Sequence, residues 1–236
     1  MRGGHAPRAG PNRACLQPAS GLYDSRVELE DILARRRMVR SYRSDPVPRD
    51  TVERIVATVR RAPSGGFSQG HRLVVVTEAA TRRELARLAG EDEYVAAGGQ
   101  AWISTAPVHV FVGTREESYH ERYRQPDKLR DGEEIGWPAP YWYVDAGAAF
   151  MLLQLAAIDE GLATGVYGVL PEQVPSVKAV LGIPDDVHFV CVVTIGRAAS
   201  DSQETRLVSR LSQRRLALEE LVRWERWDEP VKTADA

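Results

Sequence analysis

Apolar positions recur along this chain with two distinct periods. Leu29, Ile32 and Leu33 form a helical stripe behind the capping-box pattern Ser25-Arg26-Val27-Glu28. Asp45-Pro46-Val47-Pro48 breaks that helix. Asp50-x-x-Glu53 opens the next, with Val52, Ile55, Val56 and Val59 at i, i+3, i+4 and i+7, until Pro63 stops it. Leu73 to Thr77 is a continuous apolar run and predicts a strand. Thr81-x-x-Glu84 opens a short helix carrying Leu85 and Leu88, with Gly90 at its end. A further helix is expected over residues 94–104, although Gly98-Gly99 interrupts it. Val108 to Gly113 reads as a second strand. Asp145 to Glu160 is a helix apolar almost all round, ended by Gly161, and so central or at a subunit interface. Residues 166–170 allow a short strand or turn. Val177, Val180 and Leu181 mark a helix closed by Gly182-Ile183-Pro184. Phe189 to Ile195, strongly β-branched, is the third clear strand.

Two stretches fall outside these periods. Residues 114–140 are polar, with Tyr119, Tyr123 and Trp137 among breakers at Pro126, Gly136, Pro138 and Pro140. A connection of that length is functional or disordered. Residues 201–236 are charged, with a sparse stripe of Leu211, Leu218, Leu221 and Val222. The elements predict an α+β fold, a small sheet wrapped in helices. No Gly-x-Gly-x-x-Gly follows a strand, so a dinucleotide-binding Rossmann unit is not indicated.

Composition narrows the picture. The 236 residues are 43% hydrophobic and 27% charged, with formal net charge −2, ordinary for a soluble globular protein and without a global basic field for nucleic acid. Cys15 and Cys191 lack metal-ligand spacing, and a disulfide between them is not expected, which fits a reducing cytoplasm. Residues 1–24 are rich in Gly, Pro, Arg and Ala without an apolar core of a secretory signal, and read as a disordered extension. The most apolar segment, Ala146 to Ile158, reads as too short to span a bilayer.

Four constellations could carry chemistry. Arg35, Arg36, Arg37, Arg40 and Arg43 crowd into nine residues around Met38 and Tyr42. Guanidinium forks suit phosphate oxygens, but the same cluster also suits a solvated helix C-terminus or a nucleic-acid patch. Ala62-Pro63-Ser64-Gly65-Gly66-Phe67-Ser68-Gln69 is a small-residue loop whose backbone could approach a flat ligand, or simply a helix stop and turn. Gly161-Leu162-Ala163-Thr164-Gly165-Val166-Tyr167-Gly168-Val169 could bare backbone N–H groups, or could be a helix end. Arg210, Arg214 and Arg215 precede Leu218-Glu219-Glu220 and could equally be a charged helix face. The five histidines are scattered, and no nucleophile–base or zinc pattern occurs. Any redox or transfer chemistry would come from a cofactor.

In this order, these four features resemble the FMN-dependent nitroreductase family over about residues 25–222. The resemblance implies a nitroreductase-like α+β fold with a small central mixed or antiparallel sheet, assembled as an intertwined homodimer. It implies a domain over residues 25–200, a candidate substrate lid over 114–142 carrying Tyr119 and Tyr123, and a 201–236 arm that wraps the partner subunit. By alignment with the family's Arg-Arg-Ser-x-Arg-x-Phe, Arg36, Arg37, Met38 and Arg40 meet the FMN phosphate and ribityl chain. Pro63, Ser64, Gly65 and Phe67 cover the partner subunit's flavin, with Phe67 where asparagine is common and Gly70-His71 replacing Pro-Trp. Tyr167, Gly168 and Val169 fall where family backbone faces flavin N5, and Arg215 closes on the phosphate. No catalytic acid and no metal are implied. The implied activity is ping-pong hydride transfer from NAD(P)H through FMN to a nitroaromatic, quinone or similar small aromatic acceptor, in the cytoplasm, without nucleic-acid or membrane partners. A reductive dehalogenase or a non-catalytic FMN-sequestering protein are the alternatives. Met38 stands where the flavin-destroying benzimidazole synthases carry aspartate.

Overall fold

A computed structural model describes residues 28–199 and 214–227. The expected N-terminal extension, the Ser25 cap, Cys15, Arg210 and most of the C-terminal arm lie outside the described residues. Four strands form one antiparallel sheet: β1 (His71–Val76), β2 (Val108–Thr114), β3 (Ala163–Tyr167) and β4 (His188–Gly196), in the order β1-β2-β4-β3. The central strand β2 is buried along its whole length. Covered on both faces, it is apolar on either side of the buried His109.

Helix α1 (Leu29–Arg35) and α2 (Arg49–Ala57) precede the sheet, and α3 (Ala79–Leu88) and α4 (Glu91–Ala96) join β1 to β2. Helix α5 (Glu117–Tyr123) and the long α6 (Tyr141–Asp159) follow β2, α7 (Val174–Leu181) precedes β4, and α8 (Leu218–Leu221) lies near the end. Val108, Val110 and Val112 turn toward α6 and α2, packing on Ala149, Leu153, Ala157 and Ile55. Phe111, on the opposite face, packs with Leu85, Leu88 and Val177 from α3 and α7. The sheet is thus the middle layer between two helical layers.

Helix α6 begins a turn earlier than the apolar pattern indicates. Its 19 residues are long and apolar enough to cross a membrane by length and composition alone, which corrects the shorter segment read from sequence. Here it packs against all four strands. The helix expected over 94–104 instead ends at Ala96. The buried Glu91 carboxylate explains why: it accepts the N–H groups of Trp102, Ile103 and Ser104, gathering that stretch into a loop. Helix α3 starts two residues before Thr81 because Glu78 caps it, its carboxylate accepting the Thr81 N–H at 2.8 Å. The fourth strand, expected near 166–170, occupies 163–167. The polar connection is ordered around α5 rather than formless.

Candidate functional site

The arginine cluster leaves α1 in extended conformation and lies along the outer edge of β3. Met38 bridges Thr164 in parallel, and the Val39 N–H donates to the Thr164 carbonyl at 2.8 Å. Tyr42 then bridges Ala198, and its buried phenol contacts the Val39 carbonyl and the Thr194 hydroxyl. The guanidinium groups spread out from this anchored strand. Arg37 lines a cavity of about 190 Å³ with Arg35, Gly161 and Thr164, whose buried hydroxyl oxygen has no partner. Arg40 lies over the Trp102 ring, 5.7 Å from its centroid. Neither Arg36 nor Arg37 meets a carboxylate among the described residues. Met38 is half-buried.

Residues Tyr167, Gly168 and Val169 continue from the same strand, so the structure brings them beside the arginine segment. The Tyr167 side chain does not reach outward. It is buried with Val39, Tyr42 and Trp102, and its hydroxyl meets His109 Nδ1 at 3.1 Å. Burial drives the His109 pKa down to about 4, so its imidazole is neutral at physiological pH. Gly168 is exposed, with open space where a side chain would stand, while Val169 is half-buried.

The Ala62–Gln69 loop lies elsewhere. It feeds β1, at the opposite edge of the sheet from β3. The Gly65 N–H donates to Asp145 Oδ2 at 2.9 Å, near the start of α6, and Arg122 Nε donates to the Gly66 carbonyl at 2.9 Å. Ser64 Oγ accepts the Gln69 N–H at 3.0 Å, closing the loop on itself. Gly66, Phe67 and Gln69 all have positive φ. Phe67 is nonetheless 72% exposed. A side chain on Gly66 would also strike the Tyr123 ring. Pro63 is exposed, and Ser64 and Gly65 are half-buried.

Of the two lid candidates, Tyr119 is fully buried and donates its hydroxyl to Asp145 Oδ2 at 2.8 Å, so it supports the loop from beneath. Burial and that hydrogen bond push its pKa far up. Tyr123 is half-buried beside the loop, its ring 4.5 Å from the Trp137 ring. Arg215 lies exposed in the segment 214–227. Cys191 is a free, half-buried thiol on β4, raised to about 12 by burial.

The two groups of candidate residues therefore stand at the two sheet edges. The β3 edge carries Arg36, Arg37, Met38, Arg40 and Gly168; the β1 edge carries Pro63, Ser64, Gly65 and Phe67. Three strand spacings separate those edges, roughly 14 Å. Along α6, about 20 Å of helix separates Asp145 from Ile158 at the arginine cavity. Asp145 was not legible as a site residue. A single carboxylate at the polar end of an apolar helix was its only signal.

Comparison with known proteins agrees with this architecture. The family model described as "Nitroreductase family" matches residues 33–197. An NADH dehydrogenase of Thermus thermophilus is 29% identical over 212 residues, covering 80% of this chain and 92% of the relative. A 5,6-dimethylbenzimidazole synthase of Rhodobacter capsulatus is 29% identical over 184 residues, 72% of this chain and 84% of that protein. A crystal structure of a nitroreductase family protein from Streptococcus pneumoniae superposes with a TM-score of 0.63 at 19% identity, covering 83% of this chain and 99% of that one. That likeness establishes the fold. With a family match spanning most of the domain, the chain belongs to the nitroreductase family.

Proposed function

We propose that this protein is an FMN-dependent NAD(P)H oxidoreductase acting as a homodimer, with each site built from both subunits. The observation that carries this reading is the placement of the two half-sites at opposite sheet edges. One chain cannot close both around one small ligand, whereas a two-fold partner can bring its β1-edge loop against this chain's β3 edge. Outward apolar residues on α6 support such a partner. Val144 is 58% exposed, and Met151, one helical face along, is also exposed. Leu218, Leu221, Trp224 and Trp227 in the C-terminal segment are exposed as well, as expected of an arm that lies on a second copy.

The residues present fit a phosphorylated planar cofactor. Arg36 and Arg37 without carboxylate partners supply forked donors for a phosphate. Gly168 lets backbone approach a ring closely. FMN, when bound, supplies hydride chemistry between NAD(P)H and a second substrate. Around it, Arg36, Arg37 and Arg40 hold the phosphate end, with Arg215 closing from the C-terminal segment. The partner subunit's Pro63, Ser64, Gly65 and Phe67 cover the ring and exclude water. Tyr123 and Trp137 bound the space beside that loop, a wall suited to a flat aromatic acceptor such as a quinone or nitroaromatic. No side chain is assigned a proton-transfer role.

The test is the visible spectrum of the purified protein before and after acid precipitation, then anaerobic addition of NADH and NADPH. Absorbance near ~450 nm released as FMN, and bleached by a nicotinamide donor, is the expected result. A colourless protein that takes up no FMN overturns the reading. Bound FMN that no donor bleaches points to a sequestering protein instead.

A further inference from the structure

We infer that Asp145 is a positioning residue for the proposed reaction, fixing the loop that covers the partner subunit's flavin. The inference rests on the FMN reading above. One oxygen, Asp145 Oδ2, accepts both the Gly65 N–H at 2.9 Å and the Tyr119 hydroxyl at 2.8 Å. Asp145 is buried, so these bonds are made out of competition with water. Its place in the second turn of α6 puts the carboxylate near the positive end of a 19-residue helix.

The loop has reason to need such a tie. Gly66, Phe67 and Gln69 occupy left-handed backbone, and for Phe67 and Gln69 that conformation is unfavourable. Two anchors grip the Gly65-Gly66 pair: Asp145 takes the N–H of Gly65, and Arg122 Nε donates to the carbonyl of Gly66. Arg122 is itself held by Asp127 at 2.7 Å. Tyr119 fixes Asp145, and is in turn seated tightly: a side chain on Gly70 would come within 2.4 Å of its ring. The chain of contacts therefore runs from α5 through Tyr119 and Asp145 to the backbone at Gly65. It also commits the Gly65 N–H to Asp145, while the Ser64, Gly65 and Gly66 carbonyls accept from Phe67, Ser68 and Arg122, so the loop's backbone is held on both sides.

Because one oxygen makes both contacts, Asp145→Asn can retain them with its amide oxygen, while Asp145→Ala removes both. Tyr119→Phe removes one and leaves the Gly65 bond. The experiment compares these three variants with the wild type by two readouts. The first is hydrogen exchange of the 64–69 amides in protein stripped of FMN, which requires no bound cofactor. The second, in FMN-loaded protein, is kcat and KM for a quinone together with the visible circular dichroism of the flavin.

The expected result is exchange of the Gly65 amide at least tenfold faster in Asp145→Ala. In the loaded protein, kcat falls about 10–100-fold, in line with the cost of a small misplacement. FMN retention is little changed, because the phosphate contacts lie on the other half-site. Asp145→Asn restores most of both properties, and Tyr119→Phe falls between. Unchanged Gly65 exchange in Asp145→Ala, or in Tyr119→Phe if the alanine variant does not fold, overturns the inference. So does faster exchange with unaltered kcat and flavin dichroism. Failure of the wild type to bind FMN would instead refute the cofactor reading, and the apo exchange data would still report whether Asp145 holds the loop.

Discussion

A Cβ on Gly165 would stand 2.5 Å from the carbonyl oxygen of Val39. Strand β3 and the arginine segment approach that closely only because residue 165 has no side chain. The same hypothetical atom would meet Thr194 Oγ1 at 2.7 Å and the Trp102 ring at 2.9 Å, so no soft neighbour can yield. Gly165→Ala is expected to destabilise the fold by about 1–3 kcal/mol, the range for overpacking a closed site. It should also loosen residues 36–40 and weaken FMN binding. Thermal unfolding and FMN titration check this; a variant with unaltered melting and cofactor affinity would show that the contact is slack.

The arginines of the β3 edge act through charge rather than packing. Arg36→Ala is expected to weaken FMN binding by roughly 10–100-fold, as loss of a charge-assisted bond of about 1.5–3 kcal/mol implies. Stability should change little, since Arg36 has no carboxylate partner among the described residues. Isothermal titration at two salt concentrations would measure the affinity, with the wild-type affinity falling more steeply as salt rises, and thermal melts would check the stability.

The outer face of α6 should break the dimer when charged. Val144→Glu combined with Met151→Glu places two carboxylates on a surface proposed to meet its own copy. Sedimentation should show monomers, and FMN should be lost with them, because each half-site then lacks its complement. A double variant that stays dimeric and yellow would move the interface to another face.

Protonation of His120 should secure the segment over 124–140. Its Nδ1 lies 2.5 Å from Glu134 Oε1, and that hydrogen bond raises the imidazole pKa above 6.5. Glu116 also faces the ring at 3.4 Å, while Arg124 and the Trp137 N–H share Glu134. A pKa raised on folding gives a contribution fully present below the unfolded value and lost as pH rises through the folded one. Amide exchange across 124–140 should therefore quicken on going from pH 6 upward, beyond the intrinsic pH effect. His120→Gln should remove that extra dependence. Identical corrected profiles for the two proteins would discard the tether.

Local patterns carried much of this fold. Val108 to Gly113 marks a strand, and Pro63 and Gly182 mark helix ends, because those signals act on a residue's own backbone. Elements governed by distant partners were misplaced. Helix α4 ends early because Glu91 reaches forward to the amides of 102–104, a contact no periodicity records. The buried side of Tyr119 was equally invisible: its phenol is committed to Asp145, more than a helix away in sequence.

The sequence by itself determined an α+β chain with an arginine cluster, a glycine-rich loop and an aromatic connection, since composition and period depend on near neighbours alone. Only the tertiary structure decided where these meet. Strand order β1-β2-β4-β3 sends the arginines to one edge and the Pro63–Phe67 loop to the other. That order follows from which faces bury against α6, α3 and α7, a choice made by packing across the whole domain.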